Sequence, residues 1–149
     1  MVRKLLLVLL VLGLAGSAIG EEMAADQATE QTTAQSLTVT DMAFCKSIAD
    51  REPVDKAETF ASDIGKVYCW TVITGATMPT EIKHVWYYND KKIIEVPLTV
   101  KYARTRTWSA KTILADMVGD WKVEVVDSAG TVLKSGTFKI EKMQSETPK

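Results

Sequence analysis

The sequence is short of the residues that active sites most often use. It has one histidine, His84, and two cysteines, Cys45 and Cys69, in 149 residues. Two cysteines and one histidine fall short of a four-ligand zinc set, and no metal or other cofactor is implied. The cysteines lack the Cys-x-x-Cys spacing of a redox pair. There is no Gly-x-Ser-x-Gly elbow, no glycine-rich loop and no second histidine to act as a base. A basic excess is also missing, since the formal net charge is −1, which argues against a nucleic-acid partner. No apolar run reaches the ~20 residues of a membrane span, and the chain has no internal repeat.

What is present begins at the N-terminus. Met1-Val2-Arg3-Lys4 is basic, Leu5 to Leu14 is apolar, and Ala18-Ile19-Gly20 supplies a small-residue exit. That order is the pattern of a secretory signal over residues 1–20, cut after Gly20. An uncleaved anchor is the competing reading, weakened by Gly13, Gly16 and Ser17. Glu21 stands where a lipoprotein would need cysteine. The expectation is an exported protein, periplasmic or extracellular, with no span after cleavage. Its mature part, 21–149, carries 16 basic against 19 acidic residues. In an oxidising compartment Cys45 and Cys69 are expected to pair, a staple of roughly 3 kcal/mol by chain entropy.

Residues 21–36 contain no Val, Ile, Leu or aromatic side chain, so they read as a disordered linker. Residues 143–149 read as a frayed tail, leaving a domain over 37–142. Within it, period-two alternation dominates. Strands are expected from Leu37 towards Cys45, and over Lys66–Ile73, Glu81–Tyr88 (ended by the turn pair Asn89-Asp90) and Lys92–Val100. Others follow at Ala103–Trp108, Asp120–Asp127 and Thr131–Glu141, the last two closing around Ser128-Ala129-Gly130. Pro97 marks its strand as an edge or a bulge. Val54–Ser62 is ambiguous between strand and turn. Ser109–Met117 suggests one short helical turn, capped by Ser109 and ended by Gly119. About seven short strands imply an all-β, immunoglobulin/fibronectin-III-like β-sandwich. Asp116-x-x-Gly119-x-Trp121 has the look of the corner entering the penultimate strand of such domains.

Several segments in fixed order carry a family likeness. They are Cys45 with Arg51-Glu52-Pro53-Val54, Val67-Tyr68-Cys69-Trp70, and His84-Val85-Trp86-Tyr87-Tyr88. Arg106-Thr107-Trp108-Ser109-Ala110-Lys111 follows, then Gly119-Asp120-Trp121-Lys122-Val123 on through Asp127 and Gly130 to Phe138. Together, over about Val39 to Ile140, they resemble a bacterial family of exported or membrane-attached proteins, the domain of unknown function 2914 family. Ala110 stands where that family often has serine. The resemblance implies a compact β-rich domain and carries over no activity.

Three classes of function compete. His84 with Ser109 and an aspartate would make a hydrolase triad, but the missing motifs rank an enzyme last. A purely structural accessory domain is the second class. The third is a binding or adaptor module for an envelope protein or an anionic glycan. Its motive is charge: from Lys83 to Lys111 seven basic residues face two acidic ones, and from Glu21 to Asp63 ten acidic face three basic. The candidate face comprises His84, Trp86, Tyr88, Arg104, Arg106, Trp108 and Lys111. Alternation puts Arg104, Arg106 and Trp108 on one side of a strand, where guanidiniums beside an indole can grip carboxylates or phosphates. A solvated edge guarded by lysines is the plainer account, as is an ion pair between Arg106 and an acidic residue. Trp70, Trp86, Tyr87, Tyr88, Tyr102, Trp108 and Trp121 read as core, or in part as a stacking platform for a sugar or peptide.

Overall fold

A computed structural model describes residues 35–144. The expected export signal at 1–20, most of the expected linker at 21–36 and most of the expected tail at 143–149 lie outside the described residues. Runs of β-branched and aromatic residues alternating with polar ones form nine strands. They are β1 (Thr38–Ala49), β2 (Glu52–Lys56), β3 (Thr59–Ala61), β4 (Lys66–Thr74), β5 (Thr80–Tyr88), β6 (Lys91–Val100), β7 (Arg104–Thr112), β8 (Gly119–Asp127) and β9 (Val132–Glu141). They make two sheets, ordered β2-β1-β4-β7 and β3-β9-β8-β5-β6. All pairs are antiparallel except β3 with β9. The β1-β4-β7 and β9-β8-β5-β6 orders are those of an immunoglobulin-like sandwich. Pro97 lies on β6, an edge strand that needs no N–H from it.

Short turns set the register. Asp50-Arg51 joins β1 to β2 and Asn89-Asp90 joins β5 to β6, each pair at positive φ. That is the two-residue hairpin geometry whose twist matches the strands. The β8–β9 connection is held by Asp127, whose carboxylate accepts from the N–H of Ala129 and of Thr131 at 2.9 and 2.8 Å. No helix forms over Ser109–Met117. β7 runs on to Thr112 because Ser109 finds its partners across the core rather than at a helix N-terminus. Val54–Ser62 resolves into parts of β2 and β3.

The core is one aromatic cluster with an aliphatic extension. Phe44, Phe60, Trp86, Trp121 and Phe138 are buried together with Val67, Cys69, Val123 and Ile140. Val39, Ile73, Ile82, Val100 and Val125 fill the other end. Gly136 on β9 lets the sheets approach: a side chain there would sit 3.0 Å from the Phe44 ring and 3.1 Å from Met42. The corner at β8 is closed by Trp121, whose indole N–H donates to the Met117 carbonyl at 3.3 Å, and by the Tyr88 hydroxyl on Val118 at 2.8 Å.

The expected disulfide is absent. Cys45 and Cys69 are free, buried thiols. Cys45 lies opposite Tyr68, whereas Cys69 lies opposite Phe44. Residues opposite one another share a face, so the two thiols leave opposite faces of one sheet. Diverging Cβ vectors cannot be bridged without moving backbone. Burial pushes both thiols above their ordinary pKa, which suppresses the reactive thiolate. Mass spectrometry of the denatured, alkylated protein should therefore find two modified cysteines, and reducing agent should leave the melting temperature unchanged. A 2 Da deficit with no alkylation would contradict this register.

Candidate functional site

The His84–Ser109 pair of the hydrolase reading is present in distance, with Thr71 rather than an aspartate on the other ring nitrogen, and it lies in the interior. On β5, His84 faces the opposite sheet with Ile82 and Trp86, and all three are fully buried. Its Nδ1 is 2.7 Å from Ser109 Oγ and its Nε2 is 3.2 Å from Thr71 Oγ1. The Trp86 indole N–H donates to Ser109 Oγ at 3.0 Å, and the Thr71 hydroxyl donates to the Thr107 carbonyl at 3.2 Å. One arrangement of protons satisfies all four contacts. Trp86 donates to Ser109, Ser109 to His84 Nδ1, the Nε2–H of His84 to Thr71, and Thr71 to Thr107. The ring is thus neutral and carries its proton on Nε2. Burial pushes its pKa down to about 4. The polar side-chain atoms here are all partnered and buried. The relay pins the two sheets together.

The face anticipated around His84, Trp86 and Tyr88 therefore divides. Trp86 packs edge-on to Phe138 at 6.1 Å, and Tyr88 packs on Trp121 at 4.8 Å with its hydroxyl spent on Val118. These three residues belong to the core side of β5. Lys111 also falls away from the face. It lies opposite Val67 on the Ser109 side of β7, and its ammonium donates to the Thr112 carbonyl at 3.3 Å.

Arg104, Arg106 and Trp108 come together on the outer side of β7, opposite Thr74, Val72 and Trp70. They line a shallow hollow of about 340 Å³ with Arg51, Thr99, Lys101, Tyr102 and Thr105. No acidic residue lines it. Tyr102, in the β6–β7 turn, is 70 % exposed. Its backbone is held by Thr105, whose hydroxyl donates to the Tyr102 carbonyl at 3.1 Å and accepts from its N–H at 3.3 Å. The hollow's third wall comes from far away in sequence. Beyond Cys45, β1 leaves β4 and pairs only with β2, and this hairpin reaches over the outer face of β4 and β7. There the Arg51 carbonyl accepts the Trp70 indole N–H at 2.8 Å, and Glu52 pairs with Arg106 at 3.1 Å. Trp70 is buried beneath the hairpin. Lys101 and Arg104 have no carboxylate partner among the described residues.

The charge run over 83–111 pointed at Lys101, Arg104 and Arg106, and exposed Tyr102 was legible as one of several aromatics. Arg51 carried no such signal, because only the folded-back hairpin brings it there. Chemically the hollow offers cations in fork geometry, an exposed phenol ring and threonine hydroxyls, which suits binding an anion rather than bond-breaking. Among the described residues, no group of three or more His, Cys, Asp or Glu side chains is placed to hold a metal ion.

No curated protein matches the chain. A family model described as protein of unknown function (DUF2914) matches residues 79–140. That match includes β5 to β8, most of β9 and every lining residue of the hollow except Arg51; Cys45, the β1–β2 hairpin and β4 precede it. Over that stretch, from the start of β5 to the end of the core in β9, the chain is similar to the DUF2914 family.

Proposed function

We propose that the protein is an exported, non-enzymatic binding module of the bacterial cell envelope, and that it holds an anionic partner in the hollow beside the β6–β7 turn. The observation that carries this reading is the lining itself: four cationic side chains and two aromatic ones without a carboxylate among them. Cations gathered at one place, with Lys101 and Arg104 free of any carboxylate partner among the described residues, raise the local concentration of anions and speed their capture. Export is supported by the signal-like residues 1–20. Free thiols are compatible with it, because burial on opposite faces of a sheet shields them from oxidants and from each other.

The test is retention on immobilised polyphosphate at about 0.1 M salt, where long-range attraction is mostly screened. The mature chain is net acidic, so retention requires a local basic face. Wild type is expected to be held. Lys101→Glu with Arg104→Glu, both on exposed side chains, should weaken binding on the order of a hundredfold at an unchanged melting temperature. Equal elution of the two proteins would sink the reading.

A further inference from the structure

We infer that the hollow takes a carboxylate-bearing polysaccharide, a uronic acid chain, and that Glu52 occupies the position of the ligand's carboxylate when the site is free. This rests on the hollow being the binding site and specifies what binds there. Three features of the hollow support it.

The first is the anion already in place. Glu52 sits at the rim with its carboxylate 3.1 Å from the Arg106 guanidinium, and both side chains are well exposed, at 50 % and 37 %. An exposed ion pair of this kind contributes little, 0 to about 1 kcal/mol, so a second carboxylate with more contacts displaces it at small cost. The planar fork of a guanidinium matches a carboxylate in two parallel hydrogen bonds, and Arg104 is available for the next one along a chain.

The second is the exposed ring. Tyr102 projects into solvent from a turn braced by Thr105. A ring exposed to water presents a flat apolar face with a polar tip. The C–H face of a pyranose covers such a ring, whereas a phosphate chain gains nothing from it. The third is shape. The hollow, of about 340 Å³, is partly open to solvent, so a longer chain can lie across it. Thr99 lies in its lining and offers a hydroxyl to sugar hydroxyls.

Calorimetric titration of the full-length exported protein with polygalacturonate, polyphosphate and neutral dextran tests the assignment. Polygalacturonate is expected to bind about tenfold tighter per site than polyphosphate, with dextran not binding. Tyr102→Ala, a change at an exposed residue, should remove that preference by weakening polygalacturonate binding about tenfold. Glu52→Gln should raise polygalacturonate affinity several-fold by releasing Arg106. Equal affinity for both polyanions, insensitive to Tyr102→Ala, overturns the uronate assignment while the anion-binding site stands. Binding of neither polyanion overturns both. Weaker binding by Glu52→Gln overturns the stand-in role of Glu52.

Discussion

Phe138→Ala is expected to cost about 3–5 kcal/mol of stability, the largest loss from any single truncation in this domain. Phe138 is where the sheets and their aromatic residues converge. Its ring lies 4.7 Å from Phe44 on β1, 5.9 Å from Phe60 on β3, 6.1 Å from Trp86 on β5 and 5.7 Å from Trp121 on β8. Removing it strips contacts from four rigid rings that cannot rotate into the space, so the cavity persists and its cost adds to the lost transfer energy. Gly136, two residues earlier on the same face, offers no side chain to fill the gap. Against a typical domain stability of 5–15 kcal/mol, the variant should be partly unfolded at 37 °C. Urea denaturation reads this as a lower midpoint at unchanged slope. A loss below about 1 kcal/mol would mean the ring is not at the centre of the core.

The second large effect is on the pH dependence of stability. Burial holds His84 near pKa 4 in the fold, against an ordinary value near 6.5 in the unfolded chain. The folded state thus resists a proton that the unfolded state accepts. Stability is full above pH 6.5, declines as the pH falls, and is lower by about 3 kcal/mol once the pH reaches 4. Between pH 6.5 and 5 most carboxylates remain ionised, and His84 is the only histidine. A slope approaching ~1.4 kcal/mol per pH unit in that window therefore belongs to this residue. Urea melts of wild type and His84→Gln at intervals across the window measure it. The variant should be less stable at pH 7 through its disrupted relay and nearly flat from 6.5 to 5. The same slope in both proteins would contradict the buried neutral ring.

Much of the fold was legible in the alternation. The seven main strands, the edge position of Pro97, the turns at Asn89-Asp90 and Ser128-Ala129-Gly130, and the corner at Trp121 all rest on local chemistry. Period-two burial, a fixed proline φ and residues tolerant of positive φ are properties of neighbours in the chain. Ser109 was read as a helix cap for the same local reason, and tertiary bonding to His84 and Trp86 overrode it.

Whether a side chain on a strand faces core or solvent follows alternation, and that pattern put Arg104, Arg106 and Trp108 on one side. Which face of β5 is the inner one depends on the opposing sheet, and it sent His84, Trp86 and Tyr88 inward. Composition marked the basic stretch from Lys83 to Lys111. The bend of β1 at Cys45 belongs to tertiary structure alone. It covers Trp70 with the Arg51 carbonyl and sets Glu52 on Arg106, while the β1–β4 register puts Cys45 and Cys69 on opposite faces. These are contacts between residues 19 to 54 positions apart, and no local preference encodes them. The chain's charge and alternation determined that a cationic strand exists, and the packing of a distant hairpin against it decided that the strand lines a hollow.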